Sequence, residues 1–188
     1  MAKSTIDAIV VRPAGERDAA GIVKYLRENQ DRFRYMIART EEMNLTRDYE
    51  EKTIRLHARR ENCLFLVALS GREVVGVLNF VGGSRMRDRH DGEFGVSVHK
   101  DLFSKGIGRR LVSYLLNWAR ENPVLKRVTL FVMNDNKRAL EMYKQLGFQI
   151  EGVRRKAVRF EDGRVQDLIM MGKLKKEGSN EWTEDTGL

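Results

Sequence analysis

Val96-Ser97-Val98-His99-Lys100-Asp101-Leu102-Phe103-Ser104-Lys105-Gly106-Ile107-Gly108-Arg109-Arg110-Leu111 joins three kinds of local structure in sixteen residues. A β-branched strand ends at Val98, a loop with two glycines follows, and an amphipathic helix begins. The first N–H groups of such a helix have no partner within it and point at whatever lies over its start. Glycine permits close approach and the helix dipole favours an anion, so a phosphate or pyrophosphate is the expected ligand. Two common phosphate-loop patterns are excluded. Leu111 stands where the dinucleotide fingerprint has its third glycine, and no Gly-Lys-Ser/Thr follows. The competing reading is a strand-to-helix turn whose glycines serve only tight packing.

Working outward from this stretch, Leu111, Leu115 and Trp118 recur at helical spacing between Gly108 and Glu121, and Asn122-Pro123 closes the helix. Val128 to Met133 reads as a strand. Ala139 to Leu146 reads as a short helix stopped by Gly147. Phe148 to Val158 and Val165 to Met171 flank Glu161-Asp162-Gly163-Arg164, a turn between two closing strands. Upstream, Leu64 to Leu69 and Val74 to Phe80 form a hairpin about Ser70-Gly71-Arg72, and Glu93 to Val98 is a further strand. Ile9 to Arg12 is a first strand. A helix opening at Gly15-Glu16-Arg17-Asp18 carries Ile22 and Leu26, and a second runs from Thr46 towards Arg60. The order is β-αα-ββ-β-α-β-α-ββ, an α/β fold with one mixed central sheet flanked by helices. One domain is assigned to 8–174, and the polar, aperiodic 175–188 is expected to be a mobile tail.

At 188 residues the chain suits one domain with a sizeable core, and its 41% hydrophobic and 33% charged residues indicate a globular protein. No apolar run nears the ~20 residues that span a bilayer. Met1 to Asp7 lacks the apolar core of a signal peptide, which places the protein in the cytoplasm. The single cysteine, Cys63, lies in an apolar run and reads as a small buried hydrophobe. The net charge of +8 would attract polyanions, yet the arginines are scattered and no nucleic-acid-binding signature is present. Solvated surface charge is the plainer account.

The glycine loop and a second pattern, Asn136-Lys137-Arg138-Ala139-Leu140-Glu141-Met142-Tyr143-Lys144-Gln145-Leu146-Gly147-Phe148, carry a resemblance. Together they resemble the acetyl-CoA-binding motifs of the GNAT superfamily of N-acetyltransferases, over about Val11 to Leu174. The closing segment, from Glu151-Gly152 through Asp167 to Met171, is similar to the branch that includes ribosomal-protein and polyamine acetyltransferases. The resemblance implies a GNAT-like domain that binds acetyl-CoA as acyl donor and transfers acetyl to a primary amine by direct attack in a ternary complex. It implies that Val96, Ser97 and Val98 pair through main chain with pantetheine, much as an added strand would. Phe103, Ser104, Lys105, Gly106, Ile107, Gly108 and Arg109 would cradle the pyrophosphate. Phe103 is a departure, since the family usually has Arg or Gln there, and one side-chain contact is missing.

The same resemblance gives Tyr143 the role of protonating the departing thiolate, the alternative being a packing tyrosine. Asn136 would bind pantetheine or cap the helix that follows it. Glu93 is implied as general base for the amine, directly or through water, against the reading of an exposed strand-edge carboxylate. His57, His90 and His99 have no metal-ligand spacing, so no metal is expected. The acceptor surface is expected from Phe33 to Asn44, the Gly83 to His90 loop and the last hairpin. The expected partner is the amine acceptor, without membrane or nucleic acid, and a homodimer is left open. Two other classes compete: a basic nucleic-acid-associated protein, and a non-catalytic acyl-CoA sensor, against which Tyr143 argues.

Overall fold

The apolar runs become the strands of one mixed sheet in the computed structural model, which describes residues 9–29, 35 and 42–183. In chain order the elements are β1 (Ile9–Pro13), α1 (Ala19–Glu28), α2 (Arg47–Ala58), β2 (Cys63–Ser70), β3 (Glu73–Gly82), β4 (Gly92–Val98), α3 (Ile107–Glu121), β5 (Arg127–Met133), α4 (Lys137–Gln145), β6 (Gln149–Arg159) and β7 (Val165–Leu174). Single 3₁₀ turns at Glu16–Asp18 and Lys100–Leu102 precede α1 and α3. The strand order is β1-β2-β3-β4-β5-β7-β6, with β4 and β5 parallel and every other neighbouring pair antiparallel.

Local chemistry sets the boundaries. The Thr46 hydroxyl accepts from the Tyr49 N–H and starts α2, as the sequence predicts. Gly147, at φ 81°, takes the left-handed conformation that ends α4. The unbroken run Cys63-Leu64-Phe65-Leu66-Val67 makes sense because β2 is covered on both faces. Leu64 and Leu66 join the core under α3, whereas Phe65 and Val67 join a second core under α1 and α2. Cys63 is buried, in keeping with its reading as a small hydrophobe.

Helix coverage is uneven. The second core draws on α1, α2, β2 and β3, so it stops short of β5, β6 and β7 on that side. There the sheet carries polar and charged groups instead: Arg127 pairs with both Asp91 and Glu151, and the Arg154 guanidinium lies 5.6 Å from the centre of the Phe131 ring. Among the described residues, no helix is long and apolar enough to cross a membrane.

Lys175 to Thr183, which the sequence places in the expected tail, make contacts with the domain. Lys175 forms a β-bridge with Trp182, and the Thr183 N–H donates to the Leu174 carbonyl at 2.8 Å. The Lys175 ammonium, with its residue buried, donates at 2.8 Å to the carbonyl of Asn122, the cap at the C-terminus of α3. That end of a helix favours a cation. These contacts join backbone and charge, so they leave no apolar periodicity to read. Residues 184–188, like Met1 to Asp7, lie outside the described residues.

Candidate active site

β4 stays in register with β3 along its whole length, as far as Gly76↔Val98. Its pairing with β5 is confined to Glu93↔Thr129. Past that point the two parallel strands diverge, and the β5-side edge of Val96, Ser97 and Val98 borders a gap. The gap opens into a cavity of about 1090 Å³ bounded by these three residues, by the loop leading into α3, and by α4. A volume of this size suits an extended cofactor rather than a single small metabolite.

The loop reaches α3 through two left-handed residues, Ser104 at φ 62° and Gly106 at φ 78°. Gly106 is the N-cap of α3, a conformation glycine adopts without penalty. The N–H groups of Ile107, Gly108 and Arg109 have no partner inside the helix, whose ladder begins with Arg110 N–H to the Gly106 carbonyl at 3.0 Å. A Cβ on Gly108 would meet the Met142 sulfur at 3.7 Å and Val98 Cγ2 at 3.8 Å. Those are ordinary contacts, so packing alone does not require glycine at that position.

α4 brings Tyr143 to the inner end of the gap. Its ring packs edge-on against Phe94 and Phe148, with centroids 5.9 Å apart in both cases. The residue is buried yet lines the cavity, and its hydroxyl has no hydrogen-bond partner among the described residues. Burial pushes the phenol well above its ordinary pKa, so it stays protonated across the working range. Asn136 caps α4, its side-chain oxygen accepting from the Ala139 N–H at 3.3 Å, and it lines the cavity as well. Of the two roles expected for it, capping is the one seen here.

Glu93 is elsewhere. It immediately precedes Phe94 on β4 and so projects from the opposite face, outside the cavity that holds Tyr143. Partial withdrawal from water, and then the nearby Asp91 carboxylate, raise its pKa above the ordinary value, against the pull of Arg154. Gly95, next on that face, is exposed, and a Cβ built there would meet nothing within 4 Å. Lys105 belongs to the loop but does not line the cavity, whereas Phe103, Ser104, Gly106, Ile107, Gly108 and Arg109 do.

Sequence reading missed two contacts. The Tyr25 hydroxyl donates to Ser97 Oγ at 3.1 Å, which ties α1 to β4 beside the gap. Arg138 stacks on Phe103, its guanidinium 4.1 Å from the ring centre. Tyr25 lies in the same helix as Ile22 and Leu26 and carries no further signal, and nothing in spacing couples Phe103 to Arg138, 35 positions apart. His57 has a structural role, with Nδ1 at 2.8 Å from the Thr53 carbonyl and Nε2 at 2.6 Å from Asn79 Oδ1. Among the described residues no group of His, Cys, Asp and Glu could hold a metal ion. Of the expected acceptor surface, most of Phe33 to Asn44 lies outside the described residues.

Comparison with known proteins agrees with this geometry. The chain is 33% identical over 115 residues to the L-amino acid N-acetyltransferase AaaT of Escherichia coli K12, covering 58% of this chain and 67% of that protein. It is 37% identical over 98 residues to the N-alpha-acetyltransferase RimI of Mycobacterium tuberculosis, covering 50% of this chain and 58% of that protein. The structure of yncA from Salmonella typhimurium with its cofactor acetyl-CoA superposes with a TM-score of 0.79 at 21% identity, over 96% of this chain and 99% of that one. The model of the acetyltransferase (GNAT) family matches residues 24–148. With the diverging strands, the glycine loop and the matched segment all in one domain, the chain belongs to the GNAT acetyltransferase family.

Proposed function

We propose that the protein transfers the acetyl group of acetyl-CoA to a primary amine, by direct attack in a ternary complex. The observation that carries this reading is the divergence of β4 from β5, with a single pairing at Glu93↔Thr129 and the cavity beyond it. In this reading pantetheine lies along Val96 to Val98, its amides bonding to main chain that β5 leaves free. The pyrophosphate sits over the N–H groups of Ile107, Gly108 and Arg109, and the thioester reaches the level of Phe94 and Tyr143. When bound, acetyl-CoA supplies an activated acyl group, and the protein's own work is to position it and move protons.

The two proton transfers fall on opposite faces of β4. Glu93, on the open face, takes a proton from the ammonium so that the amine has a lone pair, and its raised pKa makes it a better base than an ordinary carboxylate. Tyr143, on the cavity face, donates to the sulfur as the thiolate leaves. In water that transfer runs uphill, because a thiol near ~8.5 is a stronger acid than a phenol near ~10. Burial does not widen that gap: a thiolate leaving into apolar surroundings is itself poorly solvated, so its pKa rises together with that of the phenol.

For the acceptor, the relatives named above act on an L-amino acid and as an N-alpha-acetyltransferase, and both descriptions concern an α-amine. An α-amine on an amino acid or a protein N-terminus is therefore the first class to test, and a polyamine the second. The test is release of free thiol from acetyl-CoA with a panel of amino acids, peptides and polyamines. Turnover confined to amine acceptors is expected. Activity confined to hydroxyl acceptors would overturn the assignment.

A further inference from the structure

We infer that Arg138 is a ligand for the phosphates of the acyl donor, acting as a side-chain cation at the place in the loop where Phe103 supplies no polar group. The inference rests on the acetyl-CoA reading above. In the loop, Phe103 presents an aromatic face where a polar side chain could have reached the ligand. Arg138, from the first turn of α4, lies across that face at 4.1 Å. Its Nη1 also stands 3.4 Å from the Ser104 hydroxyl, so the guanidinium spans the two loop residues that precede Lys105 and Gly106. All three, Phe103, Ser104 and Arg138, line the cavity.

The state of the guanidinium points to an anion. Among the described residues no carboxylate pairs with Arg138. Arg109, the nearby arginine of the helix N-terminus, is by contrast engaged by the Gln145 side chain, which in turn donates to Glu141 at 3.0 Å. Stacking uses the face of a guanidinium and leaves its in-plane N–H donors available. A planar fork held in this way, beside helical N–H groups that need acceptors, matches the oxygens of a phosphate or pyrophosphate. Phe103 thus acts as a platform that limits the rotamers of Arg138 before the ligand arrives.

The experiment compares two acyl donors. S-acetylpantetheine carries the reactive arm of acetyl-CoA without any phosphate. Arg138→Ala should raise the KM and Kd for acetyl-CoA about tenfold, as expected for loss of one charge-assisted contact at an accessible site. It should leave the KM for S-acetylpantetheine unchanged, and it should flatten the salt dependence of acetyl-CoA binding. Arg138→Lys should restore part of the affinity, and Phe103→Leu should lose a smaller part. Wild-type affinity for acetyl-CoA in Arg138→Ala, or equal loss towards both donors, would overturn the inference while leaving the acetyltransferase reading intact. Failure of the unaltered protein to bind acetyl-CoA would strike that reading itself, and this inference with it.

Discussion

The two faces of β4 at the gap are built from different materials. On one face Phe94, Tyr143 and Phe148 interlock beneath α3 and α4, and the cavity that approaches them is edged by backbone N–H groups. On the other, Glu93, Asp91, Arg127, Glu151 and Arg154 form a field of paired and facing charges that the core under α1 and α2 does not reach. The first face is dry and pre-shaped, which suits a large ligand held the same way in every turnover. The second is wet and adjustable, as expected where a variable acceptor must arrive and lose a proton. A fold that diverges two parallel strands brings both faces to one point, and the chemistry is assigned to that point.

Substitutions can break this division. The largest effect is expected on the dry face. Tyr143→Phe keeps the ring and its packing and removes only the hydroxyl, so kcat should fall by ~10²–10⁴, the usual worth of a positioned general acid, with little change in acetyl-CoA affinity. Full turnover by a well-folded Tyr143→Phe protein, with chemistry limiting the rate, would reduce Tyr143 to a packing residue. Next comes the loop. Gly108→Asp sets a carboxylate against the proposed pyrophosphate where a Cβ alone fits, so acetyl-CoA binding should weaken by ~10² or more while the unliganded melting temperature holds.

The wet face should respond more gently and mainly through pH. A base must be deprotonated, so activity should rise with pH through a limb set by Glu93, above the ordinary carboxylate range because its pKa is raised. Glu93→Gln should remove that limb and lower kcat/KM by at least ~10-fold. An unchanged profile would transfer the role to water or to another group. Smallest, and away from both faces, is the docked C-terminal segment. Trp182→Ala should cost about 1–2 kcal/mol by releasing the partly buried ring from the core and from Lys175, read as a drop in melting temperature without change in KM.

The dry face was the legible one. Its helices announce themselves by periodicity, its turns by Gly106 and Gly147, and its role by the two spaced motifs around Gly106-Ile107-Gly108 and Asn136 to Phe148. The divergence of β4 from β5 was not visible, since a strand looks the same whether or not its neighbour continues beside it. Glu93 could be named from resemblance, but its place on the face opposite Tyr143 needed the register of β4. The stacking of Arg138 on Phe103 joins two elements by a contact that leaves no period, and the docking of Lys175 to Thr183 does so through carbonyls and an ammonium. Local pattern carries the elements and the two motifs; pairings between side chains distant in sequence complete their surroundings.

The central claim is that the gap between β4 and β5 holds acetyl-CoA, and melting the unaltered protein with and without that ligand tests it most directly. A ligand at ~100 times its Kd adds ~2.7 kcal/mol of stability, so acetyl-CoA should raise the melting temperature by several degrees, with NAD and ATP doing far less. No rise with millimolar acetyl-CoA would contradict the account.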